Sequence, residues 1–161
     1  MSAVQDEVPG TEVAAQDVLA GMRCTVTLRV SDVSDSVAWY RRVFGCEPVF
    51  QNVDRNLDGQ ATDVAGFRLG GVVIWLSPLR PGQTRDPAEN DRSPNLAFMT
   101  SRDLVPLRAE LVARGALTRD DEPMHGFPAG ADGVRRGLDA EFFYIYDLDC
   151  NRIEFCRPLP R

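Results

Sequence analysis

Lysine is absent from this 161-residue chain: all 18 basic residues are arginine, and His125 is the single histidine. These shortages exclude Schiff-base chemistry on a lysine, a Walker-type phosphate loop and any site that needs two histidines. No apolar run approaches the roughly 20 residues that span a bilayer. Cysteine is sparse, and Cys24, Cys46, Cys150 and Cys156 form neither a C-x-x-C pair nor a dense framework, so they read as free thiols in a reducing compartment. Positive charge is in deficit, with a net charge of -6 and a pI near 4.8. No field of that sign draws in a phosphate backbone or an anionic membrane, so neither is an expected partner. For a small ligand the same acidity favours a cation. Residues 1–17 lack a basic region and an apolar stretch, so no secretory signal is expected and a cytoplasmic location is.

What is present suits one domain built from two related units. Residues 1–20 are acidic and alanine-rich and are expected to be a disordered arm. In Cys24 to Val30, Val26, Leu28 and Val30 alternate with Thr25, Thr27 and Arg29, the period of a strand with one apolar face. Asp32 is a helix N-cap, Val33, Val37, Tyr40 and Phe44 recur at helical spacing, and Gly45 closes the helix. Strands are predicted at 47–52, 62–69 and 72–77, the last two meeting at Gly70-Gly71. The order then repeats. Asn95 to Met99 is a strand, Asp103 caps a helix carrying Leu104, Leu107 and Leu111 on one face, and Gly115 ends it. Strands at 142–146 and 152–156 flank the turn 147–151. The offset of about 70 residues marks an internal repeat. The expected organisation is a first βαβββ module at 21–78, a linker at 79–94 and a second βαβββ module at 95–161. Gly, Pro and charged residues in 118–141 predict a lid-like loop.

The segment Val26-Thr27-Leu28-Arg29-Val30-Ser31-Asp32, the helix residues Trp39-Tyr40-Arg41-Arg42, and the ending Tyr144-Ile145-Tyr146-Asp147-Leu148-Asp149-Cys150-Asn151-Arg152-Ile153-Glu154-Phe155 resemble the vicinal oxygen chelate superfamily. That family includes glyoxalase I, bleomycin-resistance proteins, fosfomycin-resistance enzymes and extradiol dioxygenases. Leu148 and Cys150 depart from its usual proline and glycine. The resemblance implies an α+β fold, two βαβββ modules forming a cupped mixed β-sheet, and a homodimer. It also implies that the places of the family's metal ligands fall on Thr25, Trp75, Asn95 and Glu154. Only Glu154 is a usual donor, so no metal and no cofactor is expected.

The replacements have chemistry of their own. Trp75, Phe142, Tyr144 and Tyr146 are expected to line the cup, where rings stack on a flat ligand and phenols orient it, although aromatic side chains at this period also build ordinary cores. Glu154 is a candidate general base, with Tyr144 or His125 as its partner acid, or else a structural acceptor. By resemblance, Arg29 is placed to hold an anionic group and Thr27 to touch ligand; an intramolecular ion pair and a plain strand position compete with those roles. Cys156 shares the parity of Glu154 and is expected to face the cup as an inert thiol. The reading is a metal-independent protein that binds a small hydrophobic or aromatic organic molecule, as an antibiotic or natural-product binder. The alternative is a metal-free isomerase, cyclase or dehydratase using Glu154. A metal-dependent glyoxalase or dioxygenase is the remote third.

Overall fold

In the computed structural model of the chain, residues 24–55, 61–80, 82, 96–121 and 126–160 are described. The expected arm at 1–20, most of the linker at 79–94, Asn95 and His125 lie outside those residues.

The first unit runs β1 (Thr25–Val30), α1 (Val33–Phe44), β2 (Phe50–Arg55), β3 (Ala61–Leu69) and β4 (Val72–Pro78). The second runs β5 (Leu96–Met99), α2 (Leu104–Ala113), β6 (Arg135–Arg136), β7 (Ala140–Tyr146) and β8 (Arg152–Pro158). Both helices begin where the caps predict. The Asp32 carboxylate accepts from the Asp35 N–H at 2.8 Å, and that of Asp103 from Val105 N–H at 3.1 Å. Gly45, at φ 66°, donates its N–H to the Arg41 carbonyl and ends α1 in the left-handed region where a side chain would be strained.

Strand order is β1-β4-β3-β2 in one sheet and β5-β8-β7-β6 in the other. In each, the opening strand lies parallel to the closing strand of its own unit and the remaining pairs are antiparallel. The repeat legible in the sequence is therefore a repeat of topology, and the α+β architecture of two βαβββ units is present. The strands make two four-stranded mixed sheets. Each sheet buries one face against the helices: Leu28, Val30, Phe67, Ile74 and Leu76 in the first, Phe143, Ile145, Ile153 and Phe155 in the second. Val33, Val37 and Tyr40 of α1 and Leu104, Leu107 and Leu111 of α2 complete one apolar core shared by both units.

Polar contacts lock the units together. Trp39 Nε1 donates to the Gly115 carbonyl at 3.2 Å and Arg42 Nε to the Arg114 carbonyl at 3.0 Å. The turn 147–151 is built around the Asp147 carboxylate, which accepts from the N–H groups of Asp149 and Asn151, from Asn151 Nδ2, and from the Tyr40 hydroxyl of the first unit. From the same turn, Asp149 Oδ1 accepts the Ser31 N–H at 2.8 Å. Cys150 holds φ 60° here, where the family usually has glycine. An L-residue in that conformation stores about 1 kcal/mol of strain.

The span expected to be a lid, 118–141, contains more regular structure than its composition suggests. Arg135 and Arg136 pair with Phe142 and Glu141 to form β6, the third strand of the second unit. Asp132, in the turn before β6, accepts from the Val134 N–H and bonds Arg136.

Candidate functional site

Strand alternation sends each sheet's remaining side chains to the face away from the helices. On the first sheet, Thr25 and Thr27 are exposed there, while Arg29 and Trp75 are half-buried. Register aligns Phe50, Gly66, Trp75 and Thr27 in one row. Phe50 meets Trp75 edge to face, with ring centroids 4.8 Å apart, and lies directly over Gly66, where a Cβ would come within 2.2 Å of its ring. Gly66 thus makes room for the aromatic pair. Arg29 donates to Ser77 Oγ at 2.9 Å and to the Pro78 carbonyl at 3.0 Å, which ties β1 to β4 at the edge of this face.

The second sheet presents a different surface. Phe142, Tyr144 and Tyr146 form an aromatic cluster separate from the main core, with Phe127 and Cys156 packed against it. Glu154 stands directly across from Tyr144 in the β7–β8 ladder, and Cys156 across from Phe142. Burial first, and the Glu154 charge second, push the Tyr144 phenol up to about 12, against the opposing influence of Arg152 and Arg135. It is a hydrogen-bond donor throughout the physiological range. Burial and, less strongly, Glu154 also raise the Cys156 thiol, so it stays protonated and is a poor nucleophile.

Three arginines surround these rings, and sequence reasoning nominated none of them. The guanidinium of Arg119 lies 4.7 Å from the Tyr146 ring centre, and those of Arg152 and Arg135 lie 5.3 and 5.7 Å from that of Tyr144. Arg135 is 1% exposed, its Nε donating to the Phe127 carbonyl and its Nη2 to the Arg119 carbonyl. Those two residues are the stems of a strap laid across the aromatic face. Leu117 bridges to Tyr146, Arg119 covers Tyr146 and donates to Cys150 Sγ, and Phe127 sits edge-on to Phe142. Arginine on a short charged segment carries no periodicity and is ordinarily exposed, so the only available signal was the parity of Arg135 with Phe142.

The sequence-expected residues therefore fall into two groups: Thr25, Thr27, Arg29 and Trp75 on the first sheet, and Phe142, Tyr144, Tyr146, Glu154 and Cys156 on the second. The donor set at the positions implied for a metal does not suit a transition ion. Thr25 offers a neutral hydroxyl, the Trp75 indole has no lone pair to give, and Glu154 supplies a single carboxylate. Among the described residues, no three His, Cys, Asp or Glu side chains stand together as a metal-holding group.

Comparison with known proteins places this geometry. The family model for the glyoxalase/bleomycin resistance protein/dioxygenase superfamily matches residues 24–155. No curated protein matches the chain. Among solved structures, the fosfomycin resistance protein FosX from Listeria monocytogenes, complexed with Mn(II) and sulfate, is 16% identical with a TM-score of 0.54, covering 86% of this chain and 92% of that one. TioX from Micromonospora sp. ML1 is 20% identical with a TM-score of 0.53, covering 86% and 100%. A glyoxylase/bleomycin resistance protein/dioxygenase domain from Frankia sp. EAN1pec is 19% identical with a TM-score of 0.58, covering 86% and 92%. At these identities the likeness concerns the fold. With its two βαβββ units and a family match across nearly all of the described residues, the chain belongs to the glyoxalase/bleomycin resistance protein/dioxygenase superfamily.

Proposed function

We propose that the protein binds a small organic molecule with aromatic or hydrophobic character against the helix-free face of its second sheet, without a resident metal ion. The observation that carries this reading is the separate aromatic cluster of Phe142, Tyr144 and Tyr146 beside a lone carboxylate, Glu154. Rings on such a face stack on a flat ligand while the Tyr144 phenol donates to it. The weak donor set at Thr25, Trp75 and Glu154 supports metal independence; the Mn(II) of FosX belongs to that protein. Assembly as a homodimer is part of the proposal. Native mass spectrometry of protein purified from its source tests all three parts. The expected result is a dimer carrying an organic ligand of a few hundred daltons and no transition ion. One transition ion per chain, lost together with activity on chelation, overturns it.

A second reading is favoured by the register of Glu154 against Tyr144. A carboxylate base facing a phenol that keeps its proton is an acid–base pair suited to a metal-free isomerase, cyclase or dehydratase. With a converted ligand in hand, Glu154→Gln is expected to lower turnover about a hundredfold or more, with binding nearly intact. Unchanged turnover removes Glu154 from the chemistry. Recovery of unaltered ligand at one equivalent per site favours simple binding.

A further inference from the structure

The net charge of the chain and the charge of its candidate site have opposite signs. Strands β7 and β8, the paired strand β6 and the strap bring Arg119, Arg135 and Arg152 to the rings of Tyr144 and Tyr146, together with one carboxylate, Glu154. The neighbouring acids are engaged elsewhere: Asp120 pairs with Arg108, Asp132 with Arg136, and Glu141 with Arg157. Three guanidinium groups against one carboxylate leave this face cationic in a protein of net charge -6.

Burying guanidinium groups is costly, and cation–π contacts and carbonyl acceptors recover only part of that cost. Arg135 nevertheless lies wholly inside, with two of its donors turned to the Phe127 and Arg119 carbonyls. Those carbonyls belong to the strap that covers the aromatic face. A ligand that lifts the strap exchanges neutral acceptors for an anionic one, and a charge-assisted, bidentate pair is the stronger bond.

We propose that the ligand is an aromatic acid, its ring on Phe142, Tyr144 and Tyr146 and its carboxylate, or a comparable oxyanion, on the guanidinium groups of Arg135 and Arg152. This rests on the reading that the second sheet binds an organic molecule, and it fixes the ligand's charge. It assigns anion recognition to the second unit, whereas Arg29, the arginine implicated by resemblance, is engaged with Ser77 and Pro78 at the edge of the first sheet. The neutral Tyr144 phenol adds a further donor to the same oxyanion.

Calorimetric titration of the full-length protein with three matched probes, 2-naphthoate, 2-naphthamide and 2-naphthylmethylamine, tests the assignment. The acid is expected to bind at least tenfold more tightly than the amide, and the amine most weakly. Arg152→Gln is expected to shrink the acid–amide gap to threefold or less, and Arg152→Lys to keep most of it. Should Arg152→Gln fail to fold, the unaltered protein decides: raising salt from 0.05 to 0.5 M is expected to weaken the acid severalfold and leave the amide unchanged. Amide or amine binding as tightly as the acid overturns the anionic assignment and leaves the organic-ligand reading standing. Absence of binding by all three at millimolar concentration overturns that reading, and the assignment with it.

Discussion

The two units share strand order and helix placement, yet their helix-free faces have diverged. On the first sheet Thr25 and Thr27 stand exposed, and the aromatic pair Phe50 and Trp75 is covered by nothing more than its own contacts. On the second, Tyr144 and Tyr146 are buried beneath a strap of their own unit. The origin of the difference is a connection. Residues 45–49 join α1 to β2 directly, whereas residues 114–134 join α2 to β6 and cross the sheet on the way. A duplicated fold thus gains an occupied face by lengthening one loop and anchoring it with an arginine. The lesson is that topology repeats more faithfully than the surface it presents.

Breaking the joint between the units has the largest expected effect. Asp147→Ala removes acceptors for two backbone N–H groups, Asn151 Nδ2 and the Tyr40 hydroxyl, and is expected to destabilise the fold by about 4 kcal/mol in urea denaturation. A loss below about 1 kcal/mol shows that the units hold together through the apolar core alone. Arg135→Met acts on the strap, making the second face resemble the first. It is expected to cost about 3 kcal/mol and to accelerate hydrogen exchange at residues 117–119 and 126–128 selectively. Uniform acceleration across both units contradicts a local fastening.

Smaller changes sharpen the same contrast. Cys150→Gly relieves the left-handed strain in the joining turn and is expected to stabilise by about 0.5–1 kcal/mol, unless the Arg119 contact to Sγ outweighs it. Thermal denaturation of the pair measures the balance. Asp132 anchors the approach to β6; its carboxyl is held down at about 2 by the Arg136 hydrogen bond and then by the Val134 N–H. Because the folded value lies below the unfolded one, its contribution is present above about pH 4 and disappears as pH falls towards 2. For so exposed a pair that contribution is about 0.5 kcal/mol, so Asp132→Asn and the parent chain should differ slightly at pH 7 and converge near pH 2.

The elements that proved legible in the sequence are those with strong local physics. Asp32 and Asp103 announce helix starts because a carboxylate there satisfies an orphan N–H, and Gly70-Gly71 marks a turn because φ is 57° at Gly70. The face carrying Phe142, Tyr144, Tyr146 and Glu154 followed from period-two alternation together with the family ending. Boundaries shifted where alternation was weak: β2 occupies Phe50–Arg55 in place of 47–52. Strand β6 was invisible, since two charged residues carry no period and owe their pairing to β7. The arginine lining of the second face was hidden for the same reason. Charge on a glycine-rich segment reads as a solvated loop, and its burial arises from carbonyls that chain folding brings from Arg119 and Phe127.

The fastening of both strap stems to one guanidinium has a consequence for how the chain tolerates change. With Arg119 and Phe127 held by Arg135, the span between their anchored carbonyls is set by a side chain and not by the residues that connect them. Loop closure grows only slowly with length, by about 0.6 kcal/mol per doubling. Insertions between positions 120 and 126 should therefore leave the aromatic face and its arginines in place, making this stretch the natural location for length variation among relatives and for an engineered reporter.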